Sequence, residues 1–263
     1  MSIGISTACF YPLETELAAE YLAKNKIPCT EVFFNAESEL GDYFIDMLID
    51  IKNSANMRIS AVHPMLSLAE PYMAFSEYLR RFDEFRRSFE RYSVVAKRLG
   101  AKYINFHGDR KPGKITDEEY CERFMMLMDD AAQHGIILCQ ENVNGYRSAD
   151  PEFLNALNEY SNNKINFTLD IKQCVRAGYS VNEIISAMGS NIKHVHISDH
   201  SVASDCLLPL HGGFDFKSLF NIMDSLDYCG DYMIEVYNSA YSDYKEIISS
   251  YKRLFELKSD LTD

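Results

Sequence analysis

The feature that most constrains the fold of this chain is a regular alternation of short β-rich segments with longer amphipathic ones. Eight short segments are rich in Ile, Val, Phe and Tyr, as buried strands are. They lie at residues 3–7, 30–34, 59–63, 103–107, 136–142, 166–170, 192–198 and 232–237. Eight segments with apolar residues at helical spacing alternate with them, at 13–25, 43–55, 77–99, 117–133, 151–160, 181–188, 216–226 and 244–257. This alternation predicts an α/β fold, either a closed parallel barrel or a large doubly wound sheet.

Two observations favour the barrel. The turn after the first predicted strand, residues 6–11, lacks the GxGxxG motif that a dinucleotide-binding Rossmann fold would carry. No linker rich in Pro, Gly or Ser divides the 263 residues, a length that suits one barrel. We therefore predict a single (β/α)8 TIM barrel that forms one domain over residues 1–263.

Charge and composition exclude several classes of function. The net charge of −13 argues against a nucleic-acid partner, because contacts with phosphate need clustered Lys and Arg. The seven cysteines are scattered and never in CxxC spacing, which suits a reducing compartment and argues against a zinc knuckle. No apolar run approaches the roughly 18 residues of a membrane span, and the N-terminal segment does not look like a signal peptide. We expect a cytoplasmic protein with no membrane partner, and the sequence leaves a homo-oligomer open.

Polar side chains recur at the ends of six successive predicted strands, the third to the eighth. The residues there are His63, His107, Glu141, Asp170, His196 and Glu235. In TIM barrels the reacting groups lie at the carboxyl ends of the strands. Side chains two positions apart on a strand share a face, and intervening residues such as Leu169, Val195 and Ile234 are aliphatic. We therefore expect the polar side chains to point into the barrel.

A metal ion explains this concentration of charge. A buried and unpaired carboxylate is costly, and three of them close together repel one another, unless a divalent cation binds among them. We predict that Glu141, Asp170, His196 and Glu235 bind one such ion. Three carboxylates and one imidazole form an oxygen-rich set that favours Mn²⁺, with Mg²⁺, Co²⁺ or Zn²⁺ as alternatives. Any one of these residues taken alone is as well explained by a hydrogen bond, and His194, one layer deeper, is expected to be a core residue.

The chain resembles the xylose isomerase-like barrel superfamily along its full length. One motif for each predicted strand carries the resemblance, and in chain order the motifs are IGIST, EVFF, AVHP, NFHG, QENVN, LDIKQCVRAG, KHVHISD and GDYMIEVYN. This superfamily includes ketose 3-epimerases, hydroxypyruvate isomerase, inosose dehydratase and isomerase, and family-2 abasic-site endonucleases. The motifs identify the superfamily and do not select one member.

The resemblance implies roles for particular residues. Its single-metal epimerases and isomerases bind their ion with residues at the positions of Glu141, Asp170, His196 and Glu235, and the two glutamates exchange a proton with the substrate. It also implies that His63 and His107 lie near the substrate or a second ion, and that Glu31 supports the site or contacts substrate. Candidate substrate-binding residues are thus His63, His107, Gln173, Glu31 and His211.

Three departures from the superfamily pattern narrow the function. Gln173 stands where many epimerases and the endonucleases have a His, and the loop 201–214 lacks the Asp-x-His pair of the endonucleases. Both departures argue against a trinuclear zinc cluster and DNA repair. No Arg lies between residues 201 and 216, where ketose epimerases have a substrate-binding Arg. The glycine pair 212–213 either lets the backbone approach a substrate or forms a plain turn.

The sequence thus predicts a divalent-metal-dependent isomerase or epimerase of a small sugar or polyol that acts through an enediolate. Glu141 and Glu235 are the predicted acid/base pair. The alternatives are a metal-dependent dehydratase of an inosose-like ring, a non-catalytic barrel that binds sugar or metal, and a hydrolase of the abasic-site endonuclease type.

Overall fold

The computed structural model describes residues 2–261, and its strands form a closed parallel barrel with one added hairpin. In chain order the strands are β1 (Ile3–Ser6), β2 (Cys29–Phe33), β3 (Arg58–His63), β4 (Tyr103–Phe106), β5 (Ile137–Glu141), β6 (Asn166–Asp170), β7 (Ile192–Ile197), β8 (Asp199–Ser201), β9 (Ser204–Leu207) and β10 (Tyr232–Ile234). All except β8 and β9 belong to the barrel, in which β1 pairs with both β2 and β10. The predicted TIM barrel is confirmed; residues 1, 262 and 263 of the predicted domain lie outside the described residues.

Helices separate the barrel strands. They are α1 (Thr15–Lys24), α2 (Asp42–Ser54), α3 (Glu70–Met73), α4 (Leu79–Leu99), α5 (Asp117–Ala132), α6 (Pro151–Ser161), α7 (Ile171–Ala177), α8 (Val181–Met188), α9 (Phe216–Ser225) and α10 (Tyr244–Ser259). All eight predicted helices are present, and their ends differ from the prediction by no more than two residues. The short α3 and α7 were not predicted. Within residues 2–261, no helix combines the length and apolar composition needed to cross a bilayer.

Local sequence signals set the helix ends. The Thr116 hydroxyl accepts a hydrogen bond from the Glu119 N–H, and the Glu119 carboxylate accepts one from the Thr116 N–H, so a capping box begins α5. Ser180 and Glu183 begin α8 in the same way. At the other end of α4, Gly100 adopts φ 74°, a conformation that glycine reaches without steric cost.

The two faces of the barrel wall differ as the alternation predicts. Leu169, Val195 and Ile234 are fully buried and belong to the apolar core that packs between strands and helices. Their neighbours Asp170 and His196 are also buried but belong to polar clusters inside the barrel. Burial of aliphatic side chains therefore stabilises the wall, while the interior carries the charged groups.

Two elements absent from the prediction lie beside those groups. Helix α7 begins directly after β6, because the Asp170 carboxylate is its N-cap and accepts a hydrogen bond from the Gln173 N–H at 3.0 Å. The β8–β9 hairpin occupies part of the segment expected to be an irregular loop. Its buried Asp199 accepts hydrogen bonds from the Gly212 N–H at 2.8 Å and the Phe214 N–H at 2.9 Å, which fixes the chain after the hairpin.

Candidate metal centre

The four predicted metal ligands converge at the carboxyl ends of β5, β6, β7 and β10. His196 Nδ1 lies 3.5 Å from Glu141 Oε1, 3.4 Å from Asp170 Oδ2 and 3.5 Å from Glu235 Oε2. Glu235 follows the last residue of β10, and its N–H donates to Ile197 O at 3.1 Å, which continues the pairing with β7. We call Glu141, Asp170, His196 and Glu235 the quartet.

The quartet has the spacing and the unsatisfied atoms of a metal site. Within the described residues, His196 Nδ1, Glu141 Oε2 and Glu235 Oε2 are buried without a hydrogen-bond partner, although buried polar atoms are nearly always paired. Ligand atoms about 2.1 Å from one divalent ion lie about 3.0–3.5 Å from one another. Glu141, Asp170 and His196 could together hold an ion, and the Glu235 oxygen lies equally close to the imidazole. These residues therefore fit one divalent cation.

A second cluster, one layer deeper, orients the imidazole of the quartet. Glu31 Oε2 lies 3.1 Å from His196 Nε2, 2.9 Å from His194 Nε2 and 2.6 Å from Asn105 Nδ2, which donates to it. Asn105 Oδ1 accepts from the Thr168 hydroxyl at 2.6 Å. We call Glu31, Asn105, Thr168 and His194 the inner network. Because Glu31 accepts the proton of His196 Nε2, Nδ1 faces the three carboxylates, and loss of its proton would free the lone pair that a metal ligand requires.

Burial and charge act in opposite directions on these groups. Burial would raise the pKa of Glu31, but the charge of His196 and hydrogen bonds from both imidazoles hold it well below its ordinary value. Burial would likewise raise the pKa of Glu141, but the charge of His196 and the neighbouring imidazoles of His107 and His63 hold it well below the usual range. Burial would lower the pKa of His196, but Glu235, Glu31 and Glu141 raise it well above. The carboxylates are therefore kept ionised, which is the state that binds a cation.

A lysine lies among the quartet. The Lys172 ammonium donates to Glu235 Oε1 at 2.7 Å and to Asp170 Oδ2, and its side chain is 3% exposed. Burial would lower the pKa of Lys172, but Asp170, Glu235 and Glu141 raise it well above its ordinary value. The site thus contains a positively charged side chain that the strand-end pattern did not predict.

Two histidines lie on the other side of Glu141. His63 Nε2 and His107 Nε2 are 2.9 Å apart, and each is 3.5 Å from Glu141 Oε2. His63 Nδ1 lies 3.2 Å from Pro64 O, which can only accept, so a proton on this nitrogen would be donated there. Burial would lower the pKa of His63, but Glu141 raises it. His63, His107 and Glu141 are also close enough to share an ion, and their predicted place near the substrate or a second ion stays a prediction.

Glu70 is a buried carboxyl beside this histidine pair. It lies in α3, and its Oε2 accepts from the Gly108 N–H at 2.6 Å. Burial raises its pKa to about 7, against the opposing effect of His107. Its position after the third strand gave no signal in the sequence, because α3 is a single turn with no amphipathic pattern.

Gln173 and His211 were predicted to contact the substrate, and in the structure each makes a hydrogen bond with a backbone group. Gln173 Oε1 accepts from the Asn144 N–H at 3.1 Å, so the side chain ties α7 to the segment after β5. His211 is exposed in the turn after the hairpin, where its N–H donates to Leu208 O. A Cβ atom at Gly212 would collide with His200 O and the Asp199 carboxylate, so this glycine permits close approach to the protein's own backbone.

An arginine reaches the rim of the site from α7. Arg176 Nη1 donates to the Tyr237 hydroxyl at 2.5 Å, and its Nε lies 3.2 Å from Asp205 on the hairpin. The Tyr237 ring in turn lies 5.8 Å from Lys172 Nζ. The segment 201–216 contains no Arg of its own. Arg176, from α7, nevertheless contacts this segment through Asp205.

Comparisons with known proteins agree with the barrel fold. The sequence model of the family described as "Xylose isomerase-like TIM barrel" matches residues 21–254. A Mycobacterium leprae (strain TN) protein, "Uncharacterized protein ML2432", is 25% identical over 266 residues, which cover 91% of this chain and 90% of that protein.

Solved structures share the fold. A D-psicose 3-epimerase crystallised in the presence of D-fructose aligns with a TM-score of 0.79 and 14% identity over 99% of each chain. A "probable 3-DHS dehydratase" from Bacillus anthracis aligns with a TM-score of 0.76 and 13% identity, over 97% of this chain and 98% of that one. At these identities the likeness concerns the barrel alone.

Proposed function

Because the chain belongs to the family of xylose isomerase-like TIM barrels, we propose that it is a divalent-metal-dependent isomerase or epimerase of a small sugar or polyol. The observation that carries this proposal is the convergence of three carboxylate oxygens on His196 Nδ1 at 3.4–3.5 Å. The fold shared with a D-psicose 3-epimerase supports a sugar as the class of substrate.

The quartet would hold the ion. When bound, a divalent ion would polarise a sugar carbonyl and stabilise negative charge on its oxygen. The oxygen-rich ligand set favours Mn²⁺ over an ion that prefers sulfur, with Mg²⁺, Co²⁺ and Zn²⁺ as alternatives. The inner network would keep the His196 ring in one tautomer and one orientation throughout.

Glu141 and Glu235 are the proposed acid/base pair. They belong to β5 and to the end of β10, with β6 and β7 between them, so they approach the centre from different sides of the mouth. One carboxylate would remove the proton from the carbon beside the carbonyl, leaving an enediolate, and the other would return a proton to the opposite face. Their surroundings differ: Glu141 faces the His63–His107 pair, whereas Glu235 faces Lys172.

The surrounding polar groups would bind the sugar hydroxyls. His63 and His107 lie beside Glu141, and Tyr237 and Arg176 line the other side of the mouth. Glu31 is proposed to act through His196, since it contacts that ring. Gln173 and His211 stay predictions as substrate contacts, and the hydrogen bond from Asn144 favours a loop-fixing role for Gln173.

A dehydratase is the second candidate. The paired imidazoles beside Glu141 favour it, because an imidazole next to the proton-abstracting carboxylate can protonate a departing hydroxyl. The fold shared with a dehydratase from Bacillus anthracis is compatible with that reaction. A dehydratase would release a product one water lighter than its substrate, whereas an isomerase or epimerase conserves the mass.

Exchange of substrate hydrogen with solvent tests the proposal. The Mn²⁺-loaded protein is incubated in deuterated water with a panel of ketoses and an inosose, and deuterium incorporation is followed by NMR and mass spectrometry. We expect incorporation at the carbon beside the carbonyl of at least one substrate, and a loss of at least ~100-fold in Glu141→Gln and Glu235→Gln. Glu159→Gln, an exposed position on α6, is the matched control.

The competing functions give different results in the same assay. A non-catalytic barrel would bind metal and sugar without exchange, and a hydrolase would cleave an abasic-site DNA oligonucleotide instead. Full turnover in either glutamine variant would contradict the assigned acid/base pair.

A further inference from the structure

Lys172 brings a cation of its own into the quartet. Its ammonium contacts both Asp170 and Glu235, and its side chain is 3% exposed. Burying an ammonium is costly unless carboxylates surround it, and these two carboxylates are also candidate metal ligands. In the metal-free protein, the Lys172 ammonium therefore pairs with two of the four candidate ligands.

The start of α7 places this charge. Asp170 ends β6 and caps α7 through its Oδ1, which accepts the Gln173 N–H. Lys172 consequently lies in the first turn of the helix, two residues after a ligand, and its chain reaches across to Glu235 Oε1 at 2.7 Å. The Tyr237 ring, 5.8 Å from Lys172 Nζ, lies beside it. The position of Lys172 is thus determined by the junction between β6 and α7.

Lys172 changes the net charge of the metal-loaded site. The three carboxylates of the quartet carry one negative charge more than a divalent ion supplies. The Lys172 ammonium supplies that missing charge, so quartet, ion and lysine together are neutral. Without the lysine they would carry a net negative charge, which would favour the cation and oppose any new negative charge nearby.

The proposed reaction moves negative charge from a carboxylate of the acid/base pair to a substrate oxygen. When a carboxylate removes the proton beside a carbonyl, the C–H electron pair forms a carbon–carbon double bond. The π pair of the carbonyl then moves onto its oxygen, which gains the negative charge while the carboxylate gains the proton. A fixed positive charge is stabilising there because it needs no rearrangement during the reaction.

We propose that Lys172 is a positioning residue that opposes metal binding and favours proton abstraction. It competes with the ion for Asp170 and Glu235 in the free protein, and it offsets the charge that forms on the substrate. The second half of this inference rests on the proposed function; the first half does not. The two effects have opposite signs, which distinguishes this role from that of a clamp that only holds two ligands in place.

The test compares Lys172→Met with wild type by two readouts. Mn²⁺ affinity is measured by calorimetry on the metal-free protein, and deuterium exchange is measured on the Mn²⁺-loaded protein with the best ketose. We expect Lys172→Met to bind Mn²⁺ about 10-fold more tightly, because a nearby positive charge is gone, and to exchange about 100-fold more slowly. Lys164→Met, at an exposed position, is expected to change neither.

The outcomes separate the inference from the proposed function. Weaker or unchanged Mn²⁺ affinity in a folded Lys172→Met protein would overturn the inference, and so would tighter affinity with an unchanged exchange rate. If Lys172→Met does not fold, Lys172→Gln gives the same comparison, with Lys172→Arg expected to retain wild-type affinity within about threefold. Absence of exchange in wild type would contradict the proposed function. The affinity comparison would still show whether Lys172 competes with the ion for Asp170 and Glu235.

Discussion

The quartet and the inner network contain the same kinds of side chain, one layer apart in the same barrel, yet they are built differently. In the inner network, Glu31 contacts its partners directly at 2.6–3.1 Å. In the quartet, the nearest oxygens stop 3.4–3.5 Å from His196 Nδ1. Direct hydrogen bonds satisfy the Glu31 carboxylate without an ion, although Glu31, His194 and His196 also lie close enough to share one. The quartet instead leaves three buried candidate ligand atoms without a partner. We therefore propose a supporting role for the inner network and metal binding for the quartet.

The largest expected effect comes from removing a charge of the quartet. Asp170→Asn is expected to weaken Mn²⁺ binding by more than the roughly 10- to 100-fold that a supporting residue costs, because an anionic ligand is lost. Calorimetric titration of the metal-free protein measures it, with Glu159→Gln as control. Affinity within threefold of wild type would contradict the assignment of the quartet.

The buried carboxyl of Glu70 behaves differently from those of Glu31 and Glu141. Its pKa is raised to about 7, whereas the pKa values of Glu31 and Glu141 are held low. A carboxyl whose pKa is raised by folding binds its proton more tightly in the folded state. Stability is therefore lost as pH rises from the unfolded pKa, about 4.3, to the folded value. Glu70→Gln is expected to be up to about 3 kcal/mol more stable than wild type at pH 8 and close to it at pH 4.

Urea unfolding of the metal-free proteins at several pH values measures this difference. Subtracting wild type from Glu70→Gln removes the contribution of the other titrating groups. A difference that does not change with pH would refute the burial explanation.

Removing the charge of the inner network is expected to have a smaller effect on the metal. Glu31→Gln should weaken Mn²⁺ binding by roughly 10- to 100-fold, because the ligand His196 remains but its tautomer and orientation are no longer fixed by an anion. The titration is the one used for Asp170→Asn. If Glu31→Gln costs more affinity than Asp170→Asn, the two layers have been assigned the wrong way round.

The smallest expected effect lies at the far end of the inner network. Thr168→Val removes the hydrogen bond to Asn105 Oδ1 and should cost about 1–3 kcal/mol of unfolding free energy, since it leaves a buried acceptor unpaired. Mn²⁺ affinity should stay within about threefold, because Asn105 and not Thr168 contacts Glu31. A large loss of affinity with little loss of stability would place Thr168 in the metal site.

Most of the fold and the position of the quartet were predictable from the sequence, and the reason is periodicity. A strand with side chains alternating between two faces places Asp170 and His196 in the interior whenever Leu169 and Val195 face the helices. The barrel then brings the strand ends together without further information. The spacing of ligand atoms in space follows from that closure.

Lys172, Glu70 and Arg176 were not predictable in the same way. Lys172 belongs to a helix that begins without a linker after β6, so the two-residue alternation stops there and its contact with Glu235 spans 63 positions. Glu70 lies on a single helical turn, and Arg176 reaches the hairpin through a contact between separate elements. Such contacts depend on where loops fold over the mouth, which strand and helix patterns do not encode.

The most direct test of metal binding by the quartet is anomalous X-ray scattering from crystals of the Mn²⁺-loaded protein. One strong peak is predicted, within about 2.3 Å of His196 Nδ1 and of oxygens from Glu141, Asp170 and Glu235, with His196 Nε2 still directed at Glu31. A crystal soaked in Mn²⁺ with no peak at the quartet, or with its peak inside the inner network, would contradict it.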